Sequence, residues 1–330
     1  MEITAGGRLE IRITPADVGK RVSVRRVERG SGGAPAFTDT VGVLTSWNTG
    51  VVTITRKTGE SVRIAESALV AGKVVPAAPA RRRGPAASFE ELARASARAW
   101  VPLESEPLGE WTLRAAGGFT RRANSVLPLG DPGIPLDEAL ARVTSWYAQR
   151  GLPAYVQAAT GAAGTQEMLC AELAARGWAR EVSAEVRVGG LAAVADLDVD
   201  DQVVAGVRLT RAPDEDWLGR YGRVKDPEAA RRVLSAGPSV WFAAVPGRAI
   251  GRLVVDGRWA GFAAVEVDPE HRRRGLASAV MAALARRALE EGASAAWLQV
   301  ETDNAGARAL YEGMGFATHH SYHHYHLAAA

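Results

Sequence analysis

The chain of 330 residues holds a single cysteine, Cys170. One thiol excludes an internal disulfide framework and suits a reducing compartment. Aromatic residues make up 6% of the sequence, too thin a supply for the stacked side chains on which single-stranded nucleic acid is held. No apolar run reaches the roughly 20 residues of a membrane-spanning helix, and the most apolar stretch, LASAVMAALA, runs into Arg286 and Arg287. The N-terminal residues MEITAGGRLEIRITPADVG lack the apolar core of a secretory signal. Charge of one sign is scarce too. Forty basic and 37 acidic side chains leave +3, and a pI near 9.2 on so small an excess does not imply a nucleic-acid partner. With 47% apolar and 23% charged residues, the composition is that of a folded, cytoplasmic protein with no membrane partner, long enough for two or three domains.

Residues 1–75 form the first of these. Arg21 to Val27 alternates loosely, and Val41-Gly42-Val43-Leu44 leads to Trp47. Asn48-Thr49-Gly50 marks a tight turn into Val51 to Thr55, and Thr58-Gly59 turns into Ser61 to Ile64. Short strands at this spacing predict a small SH3-like β-barrel. With only Phe37 and Trp47 as aromatics, it reads as an accessory domain rather than a reader of proline motifs. A Pro/Ala/Arg linker follows at 76–87, and its Arg81, Arg82 and Arg83 read as solvated charge. Ser88-Phe89-Glu90-Glu91 then caps a helix running toward Trp100.

Beyond the linker the sequence repeats itself weakly. Ala154 to Ala158 (AYVQA) and Ala296 to Val300 (AWLQV) share one strand pattern. Each follows a helix that ends in glycine, Gly151 or Gly292, and each precedes a second helix and a Gly-aromatic pair, Gly177-Trp178 or Gly315-Phe316. Counting back from either strand reaches a further expected strand, Asn124-Ser125-Val126 or Val265-Glu266-Val267. Two copies of one αβ unit are expected, at 88–204 and 205–330.

The second copy predicts a strand at Val207 to Thr210, helices at 213–223 and 226–235, and a meander over 239–245, 249–255 and 261–267. Then comes HRRRGLASAV, residues 271 to 280, opening a long helix with an apolar stripe at Leu276, Val280 and Leu284. A strand that ends in a basic, glycine-bearing loop and opens a helix has a physical use. The first amides of the helix are unsatisfied, the helix dipole adds positive charge, and Gly275 removes the side chain that would block an approaching pyrophosphate. Neither the GxxxxGK[ST] spacing nor GxGxxG is present.

The run VEVDPEHRRRGLASAVMAAL followed by WLQVETDNAGARALYEGMGF closely resembles the GNAT (Gcn5-related) N-acetyltransferase family over residues 205 to 326. Arg272, Gly275 and Ala277 meet the family loop Arg/Gln-x-x-Gly-x-Gly/Ala, Asn304 its asparagine after the next strand, and Tyr311 its tyrosine before the Gly-aromatic pair. The resemblance implies an α/β (α+β) GNAT fold with a mixed central sheet, and acetyl-CoA as cosubstrate. It places backbone groups of Val265, Glu266 and Val267 along the pantetheine arm. Amides from Arg272 through Arg273, Arg274, Gly275 and Leu276 to Ala277 fall on the pyrophosphate, with Asn304 steadying the arm or the helix start. Tyr311, a phenol of high pKa, is the expected acid that returns a proton to the leaving thiolate. The base is open. Ribosomal-protein acetyltransferases carry a glutamate where this chain has Gln299, which cannot take the proton. Glu266 and Glu301 flank the place where the central strands would splay; either can serve, directly or through water, or the amine arrives neutral.

In the first copy the loop reads LPLGDPGIPLDEAL, without arginine and with prolines that delete N–H donors, and Leu173 stands at the tyrosine position. A degenerate half without its own acetyl-CoA is expected. Its Arg121, Arg122 and Asn124 face either the acceptor pocket or solvent. The C-terminal HHSYHHYH, residues 319 to 326, reads as strand histidines rather than a metal site. The arrangement of small barrel and two GNAT halves also resembles an actinobacterial N-acetylglutamate synthase-like group. That implies an acceptor such as glutamate, clamped by arginines among which Arg121, Arg122 and Arg252 are candidates. Two other readings stand beside it: an acetyltransferase of a protein or antibiotic amine, and a silent acetyl-CoA sensor or nucleic-acid adaptor.

Overall fold

A computed structural model describes residues 10–29, 35–76, 84–224 and 226–327; Arg81, Arg82 and Arg83 lie outside them. The chain divides into two compact units, residues 1–80 with 158–178, and residues 81–157 with 179–330.

The first unit opens with β1 (Arg21–Arg29), β2 (Pro35–Asn48), β3 (Val51–Thr55), β4 (Ser61–Ala65) and β5 (Leu69–Val74). The β2–β3 hairpin closes Asn48 against Val51, leaving Thr49 and Gly50 as a two-residue loop. Both have positive φ, 46° and 73°, the twist that suits a two-residue hairpin. Val22 and Val24 are buried between exposed or half-exposed neighbours and join Ile13, Leu44, Val52, Ile54, Ile64 and Leu69 in one small core. The strands lie in the order β4-β3-β2-β1-β5. The SH3-like barrel expected from the sequence is therefore met only as an antiparallel sheet. A closed barrel needs its outer strands hydrogen-bonded across a seam, whereas β4 and β5 are joined through a one-turn 3-10 helix at Glu66–Ala68 and stand at opposite edges.

The second unit begins with α1 (Phe89–Ala99), capped as expected by the Ser88 hydroxyl, which accepts from the Glu91 amide at 3.1 Å. A three-stranded sheet of β6 (Glu104–Leu108), β7 (Trp111–Ala115) and β8 (Leu127–Pro128) follows, then α2 (Leu136–Ala148) and β9 (Tyr155–Thr160). The strand expected at Asn124 to Val126 shrinks to one residue. Val126 makes an isolated parallel bridge to Val156, while the Asn124 side chain accepts from the amides of Ala116 and Gly118 and donates to the carbonyls of Phe119 and Thr120, holding a loop rather than a ladder. α3 (Glu167–Ala175) belongs to the first unit and packs against β2 and β3.

After α3 come β10 (Trp178–Gly190), α4 (Leu191–Ala195), α5 (Asp201–Ala205), β11 (Arg208–Thr210), α6 (Glu215–Arg220), α7 (Pro227–Ser235), β12 (Ser239–Val245), β13 (Ala249–Asp256), β14 (Trp259–Val267), α8 (Leu276–Glu290), β15 (Ala295–Glu301), α9 (Ala305–Gly313) and β16 (Ala317–Leu327). They build an eight-stranded mixed sheet in the order β11-β12-β13-β14-β15-β10-β16-β9. β14 and β15 run parallel across the α8 crossover. The sheet thus takes β10, a strand from before residue 204, between the two strands that flank α9. α8 lies on this sheet with Leu276, Val280 and Leu284 buried, as the apolar stripe predicts. Gly251 on β13 lets it come that close, because a Cβ there would meet Val280 Cγ1 at 2.5 Å. No helix among the described residues is long and apolar enough to cross a membrane.

Candidate active site

The site starts from a fault in the sheet. β13 and β14 keep register from Asp256–Trp259 to Arg252–Ala263, then shift so that Ile250 faces Glu266. Gly251 is therefore opposed by two residues, Ala264 and Val265, and Ala264 takes φ 51°, the mark of a β-bulge that bends its strand. On its other side β14 pairs with β15 through only four rungs, Trp259–Ala295 to Phe262–Leu298. Beyond Phe262 the two strands part. β15 continues on β10 as far as Glu301–Ala184, so the edge of β14 from Ala263 to Val267 is left facing the gap. A fork between two parallel strands, lined on one side by unpaired main-chain groups, can take an extended amide-bearing chain as a short extra strand.

The basic loop sits at the end of the bulged strand. Asp268 caps the 3-10 turn Pro269–His271, accepting from the Glu270 amide at 3.0 Å, and is held by Arg220 at 2.9 Å. Arg273 and Gly275 both take positive φ, 59° and 76°, and a Cβ on Gly275 would meet nothing within 4 Å. α8 therefore begins beside open space, and Gly275 offers its first amides no side-chain cap. Unsatisfied donors at a helix start, rimmed by exposed arginine side chains, fit a pyrophosphate. Asn304 is the cap of α9, its side chain accepting from the Ala307 amide at 3.0 Å.

Tyr311 lies on α9 at 9% exposure, packed edge-on to Phe316 with ring centroids 6.0 Å apart. Burial alone pushes its phenol up to about 12, so the hydroxyl is protonated at neutral pH. Glu266 is half-buried, and desolvation raises its carboxyl above the usual range even though Arg223, the Gly222 amide and Arg220 pull the other way. Glu301 accepts from Arg223 Nη1 at 3.0 Å. One guanidinium, Arg223, therefore acts on both candidate carboxylates. Among the described residues Tyr311 is hydrogen-bonded to neither of them. Gln299 Nε2 donates to Ser96 Oγ at 2.8 Å, tying β15 to α1.

The structure separates the three arginines that the sequence offered as clamps. Arg252, 1% exposed, donates to the carbonyls of Leu234, Ala99 and Ala236. Burial brings it down to about 9, and its donors are spent on main chain. Arg121 pairs with Glu181 at 2.5 Å. Arg122 stacks over Trp100, 4.5 Å from the ring centroid, and its charge acts on the Tyr322 hydroxyl. Sequence reasoning missed Arg223 and Tyr322. Nothing local marks Arg223, which follows a helix end; Tyr322 had the signal of strand alternation, which sets it on one face of β16 with His320 and His324.

The mixed sheet, the forked parallel strands and the uncapped helix start thus bring an open strand edge and an anion-binding loop to one end of the sheet. A family profile described as "Probable histone acetyltransferase Rv0428c C-terminal" matches residues 86–325, and one described as "Rv0428c N-terminal Sm-like domain" matches residues 16–73. The second profile is Sm-like where the sequence was read as SH3-like. The probable histone acetyltransferase Rv0428c of Mycobacterium tuberculosis is 28% identical over 309 residues, covering 92% of this chain and 93% of that protein. The uncharacterized N-acetyltransferase YobR of Bacillus subtilis is 24% identical over 251 residues, covering 72% and 98%. Among solved structures, a GCN5-related N-acetyltransferase from Kribbella flavida shares the fold with a TM-score of 0.53 at 17% identity, over 72% of this chain and 95% of that one. The chain belongs to the Rv0428c family of GNAT-type N-acetyltransferases, which use acetyl-CoA as cosubstrate.

Arg252 supplies a prediction. Arg252→Ala strands three buried carbonyls and should destabilise the fold by about 3 kcal/mol, read as a lowered denaturation midpoint. A variant as stable as the parent would show that Arg252 is not a structural tie.

Proposed function

We propose that the enzyme transfers the acetyl group of acetyl-CoA to a primary amine at the fork between β14 and β15. The observation that carries this reading is the parting of the two strands after Phe262–Leu298. In this reading main-chain groups of Val265, Glu266 and Val267 line the pantetheine arm, and amides of Arg272 to Ala277 hold the pyrophosphate. Asn304 fixes the start of α9 so that Tyr311 is presented from its far end. Glu266 takes the proton of the acceptor ammonium, and Glu301 holds Arg223 in place rather than acting as base. The choice rests on environment: a half-buried carboxyl with a raised pKa is a better match to an amine's proton near neutrality than one already engaged by a guanidinium. The neutral amine attacks the thioester carbonyl, the carbon–sulfur bond breaks, and the Tyr311 hydroxyl delivers a proton to the departing thiolate.

For the acceptor we favour the α-amino group of a small amino acid such as glutamate, as in the N-acetylglutamate synthase-like group, which would place the enzyme in amino-acid biosynthesis. A protein amine is the second reading, favoured by the name of the Mycobacterium tuberculosis relative that covers 92% of this chain. Thiol release from acetyl-CoA across free amino acids, polyamines, aminoglycosides and basic peptides tests both. Turnover confined to peptides moves the assignment to the second, and no turnover with any amine, despite tight acetyl-CoA binding, makes the chain a sensor.

Two predictions follow from the roles. Tyr311→Phe should lower kcat by about 10²-fold, in the range of general-acid catalysis, with acetyl-CoA affinity kept; an unchanged kcat removes Tyr311 from the reaction. A base must be unprotonated to act, so kcat/KM should fall as pH drops through the raised Glu266 pKa. The acid limb should lie above the ordinary glutamate range and vanish in Glu266→Gln. A limb that persists in that variant belongs to another group.

A further inference from the structure

Apolar packing fixes α9, the helix that carries Tyr311, only in part. The helix is nine residues long and Tyr311 is its one buried side chain, with Ala307 and Leu310 partly buried against the core. A helix this short is marginal by itself and depends on tertiary ties for its position. Two of those ties come from β10. Arg187 on β10 is in register with Leu298, the residue at which β15 and β14 make their last rung. Glu185, two residues earlier, is in register with Val300. Side chains opposite one another across paired strands share a face of the sheet, and Leu298 and Val300 pack in one cluster with Tyr311 and Phe316.

On that face Glu185 and Arg187 grip residue 308 twice. Arg187 Nη1 donates to the Arg308 main-chain carbonyl at 2.9 Å. The Arg308 guanidinium donates from Nη2 to Glu185 Oε1 at 3.0 Å. Arg187 Nε closes the ring by donating to Glu185 Oε2 at 2.7 Å. Main chain and side chain of one helical residue are thereby held by two neighbours on one strand, whose own side chains are only 6% and 12% exposed. The ring also reaches both ends of α9. Arg308 Nη1 donates back to the Thr302 carbonyl, ahead of the helix, at 3.3 Å, and the Thr318 hydroxyl, beyond it, donates to Glu185 Oε2 at 3.1 Å. Exposed ion pairs are screened by water, whereas charge-assisted bonds this sheltered keep their directional hold. Residues 308 and 311 are three apart and so are neighbours on one side of the helix. A grip on the first sets the height and rotation of the second.

We propose that Glu185 and Arg187 are positioning residues for acetyl transfer: through Arg308 they set where α9 presents the Tyr311 hydroxyl. They act through the helix and not on the reacting atoms. This inference rests on the reading above in which Tyr311 gives its proton to the departing thiolate, and it gives β10 a part in that step.

A double-mutant cycle in the full chain tests it, with L-glutamate or a basic peptide as acceptor, whichever the thiol-release assay shows to turn over. Arg187→Met frees the Arg308 carbonyl and should lower kcat by about 20-fold with KM for acetyl-CoA unchanged, within the reach of a group misplaced by about 1 Å. In the Tyr311→Phe background the same substitution should change kcat by less than about twofold, because no hydroxyl is left to place. Arg308→Met, at a half-exposed position, removes the side-chain part of the grip and repeats the cycle if the first variant does not fold. Hydrogen exchange, read without substrate, should show the amides of α9 exchanging about tenfold faster in either variant while those of α8 keep the parent rate. Equal kcat losses with and without the Tyr311 hydroxyl, no loss at all, or unchanged exchange in α9 overturns the positioning role and leaves Tyr311 as the acid. If Tyr311→Phe alone leaves kcat untouched, the acid reading fails and the positioning role falls with it, an outcome distinct from equal losses in both backgrounds.

Discussion

The hydrogen-bonding of β14 sets the terms for everything around it. On one side the strand is bulged against Gly251, and on the other it keeps four rungs with β15 before the two diverge. β10 holds β15 from the far side, pairing with all seven of its residues from Ala295 to Glu301, so β15 does not follow β14 as it bends. The main-chain groups freed by this divergence are costly to bury unmatched, and they are useful because a second amide chain can match them. The same bend delivers the chain through Asp268 into the loop whose left-handed Arg273 and Gly275 start α8 with its donors bare. Fork and cradle are consequences of one distortion.

Residues from before 204 hold that distortion in place. α1 reaches the central strands twice: Ser96 bonds Gln299, and Glu91 accepts from Trp259 and Arg258. β10 is the structural partner of β15. Segments before residue 204 therefore serve the central strands as scaffold, and Pro135 stands at the cap of α2 without a side-chain hydrogen bond.

Guanidinium groups do much of the joining in this chain. Arg252 and Arg114 are buried deeply enough that desolvation lowers both, to about 9 and about 10, yet each stays charged at neutral pH and is compensated by oxygen dipoles rather than by acids. Their contribution is local and directional: Arg252 ties the carbonyls of Ala99, Leu234 and Ala236, and Arg114 ties Ser125 to Gln157. Surface pairs such as Arg94–Glu90, with both partners more than half exposed, are screened by water and contribute far less.

Amino-acid order by itself determined many local elements and the loop that opens α8. The helix from Leu276, the turn at Thr49-Gly50, the cap at Ser88 and the Gly275 loop are short-range events, fixed by spacing, φ preference and capping chemistry within a few residues. Tertiary structure alone decided what lay between distant segments. It decided that β10 separates β15 from β16, that the N-terminal strands form an open-ordered sheet, that Arg223 acts on both Glu266 and Glu301, and that Arg252 is a tie. Each of these depends on which residues of different elements meet in space, and neither propensity nor periodicity carries that information.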